Sequence, residues 1–271
     1  MTSVIRGLTD LALVGYLWAA LLALVALRRP GGNPVPARLA AWLAWGVHTL
    51  ALVLLAVTYG RAPVGGLHEA LSALVWAIVA WHLWIERRFR VAALGAFVLP
   101  VAAVLGLAAA AMPGSLLAFR SSPEVGWLWV HGLLLLFGFG AFALNFAGGL
   151  MYLLQERQLK SRRPGPVSLR LPSLELLDRL TFQALVIGFP FLTFGLLLGV
   201  LAAAAGEGLR LGPTQGLSLL TWGIYAATLY VRLVRGWRGR RAAYFAIAGF
   251  VAVVVTLSVG LALPVRHIRL L

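Results

Sequence analysis

Eight long stretches of this sequence are apolar and nearly free of charge, which restricts the kind of fold the chain can form. They are, approximately, Leu8–Leu27, Leu39–Tyr59, Leu67–Ile85, Val91–Met112, Val125–Leu154, Leu180–Ala205, Thr214–Val231 and Ala242–Val265. A helix needs about 20 apolar residues to cross the roughly 30 Å hydrocarbon core of a bilayer. Because backbone polar groups in lipid must pair within the chain, each stretch is predicted to be a helix. The sequence therefore predicts an all-α, polytopic transmembrane bundle with eight spans.

The basic residues are concentrated in alternate connections between these stretches. Of the 23 lysine and arginine residues, 17 lie in the connections after the first, third, fifth and seventh stretches, and only six lie on the other side. Connections rich in lysine and arginine stay in the cytoplasm. With eight spans, both termini are predicted to lie outside (N-out/C-out), in what we expect to be the bacterial cytoplasmic membrane.

Composition argues against several other classes of protein. Only 11% of the residues are charged, against about 25% in a soluble domain, so residues 1–271 are predicted to form one transmembrane domain with a cytoplasmic loop at 155–178. The net charge of +15 does not indicate nucleic-acid binding, because the basic residues lie beside helix ends, where they fix topology and contact anionic lipid. The absence of cysteine excludes thiolate metal sites and thioether attachment of a cofactor to this chain. The first stretch lacks a basic region before it and a small-residue cleavage site behind it, so we expect a retained helix.

The five histidines are the main candidates for a functional site, since an ionisable side chain inside a membrane is energetically costly. The predicted orientation places His68, His131 and His267 at the outer surface. His48 and His82 lie deeper on an antiparallel pair of helices, at depths that are predicted to agree within about 6 Å. Neutral imidazole is a good ligand for iron, so two histidines that face one another suit axial ligation of a haem.

Simpler interpretations remain open for each histidine. Any of them could bond only a backbone carbonyl or a polar neighbour, and this is favoured for His68, which adjoins Glu69 at the interface. A zinc site made by His68, Glu69 and His131 is a weaker hypothesis, because no H-E-x-x-H spacing is present. Trp127 and Trp129 belong either to the interfacial aromatic belt or to the wall of a porphyrin site. Neither a nucleophile elbow nor a phosphate-binding loop is present.

Several motifs in consistent order, from about Pro63 to Gly260, resemble the cytochrome c assembly membrane proteins, the superfamily of CcsA, CcmC and HemX. The motifs are HEALSAL (68–74), WVHGLLLLFGFGAF (129–142), GLMYLLQER (149–157), LLDRL (176–180), IGFPFLTFG (187–195), LLTWGIY (219–225) and RGWRG (235–239). The resemblance implies a haem, non-covalent haem b, that is held at the outer face by two histidines near loops. These correspond to His131 and His267.

Two departures from the family's synthase branch bear on activity. The loop after the sixth stretch, residues 205–215, contains no tryptophan, and Tyr230 stands where that branch has a membrane histidine. The chain therefore resembles most closely the eight-helix HemX-like branch. This implies haem handling or delivery at the outer face rather than bond formation, and the protein is not expected to be an enzyme by itself.

Two alternative functions remain. One is a haem lyase or transport subunit that works with another cytochrome c assembly subunit or with apocytochrome c. The other is a membrane regulator of haem biosynthesis that acts on the level of glutamyl-tRNA reductase. In each case the expected partners are haem, membrane lipid and one further protein, and no nucleic acid.

The charge distribution makes a direct prediction about orientation. A reporter fused after Leu271 should be active only if it is of the kind that functions outside the cytoplasm, because the eight-span topology places the C-terminus there. Activity of a cytoplasmic reporter at the same position would contradict both the predicted orientation and the number of spans.

Overall fold

A computed structural model describes residues 2–60, 67–112, 123–161, 165, 167, 169–205 and 212–262. Within these residues the chain forms eight α-helices and no strand, which confirms the predicted helical bundle. A single 3₁₀ turn, Ala92–Leu94, precedes the fourth helix. The helices are α1 (Thr2–Arg28), α2 (Val35–Tyr59), α3 (Leu67–Phe89), α4 (Gly95–Ala111), α5 (Pro123–Lys160), α6 (Leu174–Ala205), α7 (Pro213–Leu233) and α8 (Arg240–Ala262).

Most of these helices are longer than the apolar stretches that predicted them. The helix α5 continues to Lys160 and α6 begins at Leu174, so the connection between them is shorter than the predicted loop at 155–178. Among the described residues, seven helices are long and apolar enough to cross a membrane, and α7 is the exception. Thr221 and Trp222 of α7 bond to neighbouring helices: Thr221 shares a 2.9 Å hydrogen bond with Thr256 of α8, and Trp222 donates to the hydroxyl of Thr193 on α6 at 3.0 Å.

The helices α5 and α6 pack antiparallel. On α5 and α6, the side-chain amide of Asn145 donates to the carbonyl of Thr181 at 2.7 Å, and His131 reaches Gly195 at the other end of the same interface. Close approach depends on glycine: a Cβ atom on Gly188 would lie 2.7 Å from the ring of Phe142. The α5–α6 pair is therefore held by small residues and by bonds between polar side chains and the backbone, as is usual inside membranes.

The arginine-rich helix ends gather at one end of the bundle. Arg232, near the end of α7, is buried and lies 3.0 Å from the carboxylate of Asp178 on α6. The same carboxylate accepts a 3.0 Å hydrogen bond from the backbone N–H of Gly239, just before α8. Gly239 has φ +67°, a backbone conformation that glycine adopts without strain. One ion pair thus joins three helices at this end.

We expect the replacement Arg232→Met to destabilise the protein by about 3–5 kcal/mol, because it leaves the Asp178 carboxylate without its buried partner. The matched control is Arg179→Met, which breaks an exposed pair with Glu175 in the same part of α6 and should cost about 1 kcal/mol or less. Thermal unfolding of the detergent-solubilised protein measures both. Equal losses of stability would contradict the role assigned to the buried pair.

Candidate functional site

His131 lies about two turns into α5, and its imidazole is turned towards α6. Its Nδ1 atom is 2.6 Å from the backbone carbonyl of Gly195. A carbonyl can only accept a hydrogen bond, so Nδ1 carries a proton, and in the neutral ring Nε2 is then the nitrogen with the free lone pair. No residue that the structure describes bonds to Nε2. The ring is therefore fixed as the tautomer that can ligate a metal.

The space that the His131 ring occupies exists because α6 carries glycine at two positions four residues apart. A Cβ atom on Gly199 would lie 2.7 Å from Cε1 and 2.9 Å from Nδ1 of His131, and one on Gly195 would lie 2.7 Å from Leu135. The G-x-x-x-G step on α6 allows close helix packing, as its sequence indicates. It also accommodates the imidazole against the helix backbone.

His68 has a similar arrangement but faces a different part of the bundle. Its Nδ1 donates to the carbonyl of Ala109 on α4 at 2.8 Å, so one ring nitrogen is satisfied by backbone, as the simpler interpretation expected. The ring lines a narrow crevice together with Asp10 of α1, whereas His131 faces α6. The described residues contain no group of three side chains able to hold a metal ion, so the geometry gives no support to the zinc hypothesis.

His48 uses both of its ring nitrogens inside the protein. Nδ1 shares a 3.1 Å hydrogen bond with the hydroxyl of Tyr16, and Nε2 shares one of 2.8 Å with the hydroxyl of Ser72. His48 is buried, with 2% of its surface exposed. The sequence contains the hydroxyl-bearing residues Tyr16 and Ser72, but no sequence pattern indicated that both hydroxyl groups point at His48.

His82 lies at the arginine-rich end, away from His48. Its Nε2 is 3.4 Å from Oε2 of Glu86, and its buried Nδ1 has no hydrogen-bond partner. Ser72, which bonds His48, precedes His82 by ten residues on α3, or about 15 Å along a helix. The structure therefore does not bring His48 and His82 together. The prediction that His48 and His82 lie at similar depths placed the turn between α2 and α3 at Pro63. The contact between His48 and Ser72 instead puts the midpoint of the two helices near residue 60.

The remaining candidates are only partly covered by the structure. Trp129 is half-buried on α5, while the side chain of Trp127 and the whole of His267 lie outside the described residues. The described part of α8 ends at Ala262. Phe250 of α8 stacks on Phe146 of α5 with ring centroids 4.8 Å apart, and from there α8 runs antiparallel to α5, towards the end that carries His131.

Comparison with known proteins identifies the family. A model of the family described as "Cytochrome C assembly protein" matches residues 64–264. The chain is 31% identical over 258 residues to "Cytochrome c biogenesis protein CcsA" of Prochlorococcus marinus (strain MIT 9303), covering 83% of this chain and 80% of the relative. Proteins of the same name from Microcystis aeruginosa and Guillardia theta are 27% and 26% identical, each over 72% of this chain and over 74% and 71% of their own lengths. The chain belongs to the cytochrome c assembly protein family.

Proposed function

We propose that this protein handles haem at the outer face of the membrane during cytochrome c biogenesis, and that it holds haem b non-covalently between His131 and His267. The observation that carries the proposal is the bond from Nδ1 of His131 to the carbonyl of Gly195, at 2.6 Å. Histidines that ligate metals commonly donate their other ring N–H to a carbonyl or carboxylate, which fixes the tautomer and raises the basicity of the ligating nitrogen. His131 combines this bond with the position to which the family resemblance assigns a haem ligand, whereas His68, which also bonds a backbone carbonyl, has no such assignment.

The surroundings of His131 fit a large apolar cofactor. The end of α5 that carries His131 also carries Trp129, whose half-buried ring offers a flat aromatic surface. Bound haem would supply the iron, and the protein would hold it through imidazole and exclude water with the apolar faces of α5 and α6. The proposed second ligand, His267, comes five residues after Ala262 in the sequence, a separation that the chain can span over at most about 18 Å.

The comparisons bear on the choice among the functions that the sequence left open. The relatives are named for cytochrome c biogenesis, which favours a role in assembly over control of haem biosynthesis. Their name also supports the second candidate, a transport or lyase subunit that works with another assembly subunit or with apocytochrome c. The narrower assignment to the HemX-like branch and the location in the bacterial inner membrane stay predictions.

Removal of the proposed ligand should change the spectrum of bound haem. We expect detergent-purified wild-type protein that has been loaded with haem to show a low-spin Soret signature, because two imidazoles give a strong axial field. His131→Ala should convert or remove this signature, and added imidazole should restore it by filling the vacated space. Absorption spectra of the ferric and ferrous forms measure both effects.

His68→Ala is the matched control for this experiment. His68 also donates Nδ1 to a backbone carbonyl, but it faces α4, so its loss should leave the haem spectrum unchanged. An unchanged spectrum in both His131→Ala and His267→Ala would refute the proposed site.

The glycine beside His131 provides a second test that leaves every histidine in place. Gly199→Val places side-chain atoms where the His131 ring lies, since even a Cβ atom would be 2.7 Å from Cε1. Crowding of this kind typically costs about 1–3 kcal/mol. Because it displaces the proposed ligand, we expect haem affinity to fall about 5- to 150-fold. Gly223→Val is the control, because nothing lies within 4 Å of a Cβ atom there. Equal affinities in a haem titration of the two variants would contradict the placement of the ligand.

A further inference from the structure

A cavity of about 380 Å³ opens at the arginine-rich end of the bundle, remote from His131. It lies between the last turn of α1, the first turn of α2, the last turns of α3 and the first turns of α4. Four helix ends thus form its walls, and the segment before α6 contributes Arg170. Neither His131 nor Trp129 of the proposed haem site lines this cavity.

The charged residues that line the cavity leave one positive charge without a partner. They are Arg38, Arg170 and Glu86. Glu86 is buried, with 6% of its surface exposed, and Arg38 is the cation that interacts with it electrostatically. Arg170 donates to the backbone carbonyl of Ala26 on α1, which holds the guanidinium in position but leaves its charge uncompensated by any residue that the structure describes.

His82, one of the residues that line the cavity, carries an unpartnered polar atom. The residue is 1% exposed, and its Nδ1 has no hydrogen-bond partner. Its other nitrogen, Nε2, faces Glu86 at 3.4 Å, so with the proton on Nε2 the Nδ1 atom is an acceptor. A buried polar atom left without a partner costs free energy. A ligand that brings a hydroxyl group would satisfy it.

We propose that this cavity binds a phosphate group that carries a neighbouring hydroxyl, with the phosphate on Arg170 and the hydroxyl donating to Nδ1 of His82. Guanidinium binds phosphate oxygens through charge-assisted hydrogen bonds. Both a free glycerol phosphate and the headgroup of phosphatidylglycerol have this chemistry. Basic pockets between transmembrane helices at the arginine-rich side are a recurrent place for anionic headgroups.

The test compares three additions to delipidated, detergent-purified protein: phosphatidylglycerol in mixed micelles, phosphatidylcholine in mixed micelles, and glycerol phosphate in solution. We expect phosphatidylglycerol or glycerol phosphate to raise the unfolding temperature, and phosphatidylcholine to have no effect. A response to phosphatidylglycerol alone identifies a lipid site. A response to glycerol phosphate as well identifies a site for the soluble anion. Failure of both to exceed phosphatidylcholine overturns the proposal.

Substitutions of the lining residues test whether the rise in unfolding temperature depends on the cavity. Arg170→Gln should weaken the apparent affinity about tenfold or more, the effect of losing one charge-assisted hydrogen bond, whereas Arg170→Lys keeps the charge and should retain part of the binding. His82→Ala should weaken binding of the hydroxyl-bearing probe but leave binding of inorganic phosphate unchanged. The control Arg179→Gln removes an exposed arginine and should respond as wild type does.

The unfolding temperature of each variant without ligand verifies its fold, and native mass spectrometry counts bound lipid independently. His131→Ala changes the proposed haem site at the other end of α5 and should leave the response to the anion intact. An Arg170→Gln variant that is folded and responds like wild type would overturn the proposed site, whatever the outcome of the haem experiments.

Discussion

The structure depends on the cost of carrying a polar group into a bilayer, where lipid offers no hydrogen-bond partner, so that polar side chains are favoured where they can bond within the protein. His48 offsets this cost with two hydroxyl groups, and Asn145 uses its amide to bond the carbonyl of Thr181. His131 does so with one backbone carbonyl, which leaves its other nitrogen available. The difference between His48 and His131 separates a histidine that holds helices together from one that can bind a ligand.

Glycine determines where these bonds can form. On α6 the pair Gly195 and Gly199 provides both the carbonyl that His131 bonds and the space in which its ring lies. On α4, a Cβ atom on Gly95 would approach Nε2 of His82 to 3.3 Å, so a small residue again lies against an imidazole. Residues that could be assigned to helix packing alone therefore also shape two separate polar sites, one at each end of the bundle.

The sequence predicted the helices well because length and apolar composition are the properties that a bilayer selects. A motif that resembles the family made His131 a candidate haem ligand, and that assignment stays a prediction. The sequence could not predict which face of each helix is buried, since lipid-facing and buried faces are both apolar in a membrane: on α6, Leu192 is 1% exposed and Leu197 is 53% exposed. The partners of His48 and the cavity beside His82 depend on these rotations, and for that reason only the structure revealed them.

The proposal that matters most is that His131 and His267 would hold haem, with Nε2 of His131 as one of the ligands. The most direct measurement is the electron paramagnetic resonance spectrum of purified protein titrated with ferric haem. We expect a low-spin signal typical of two imidazole ligands, which increases until one haem has been added per chain. A high-spin signal throughout the titration, or haem that stays in the detergent micelles, would contradict it.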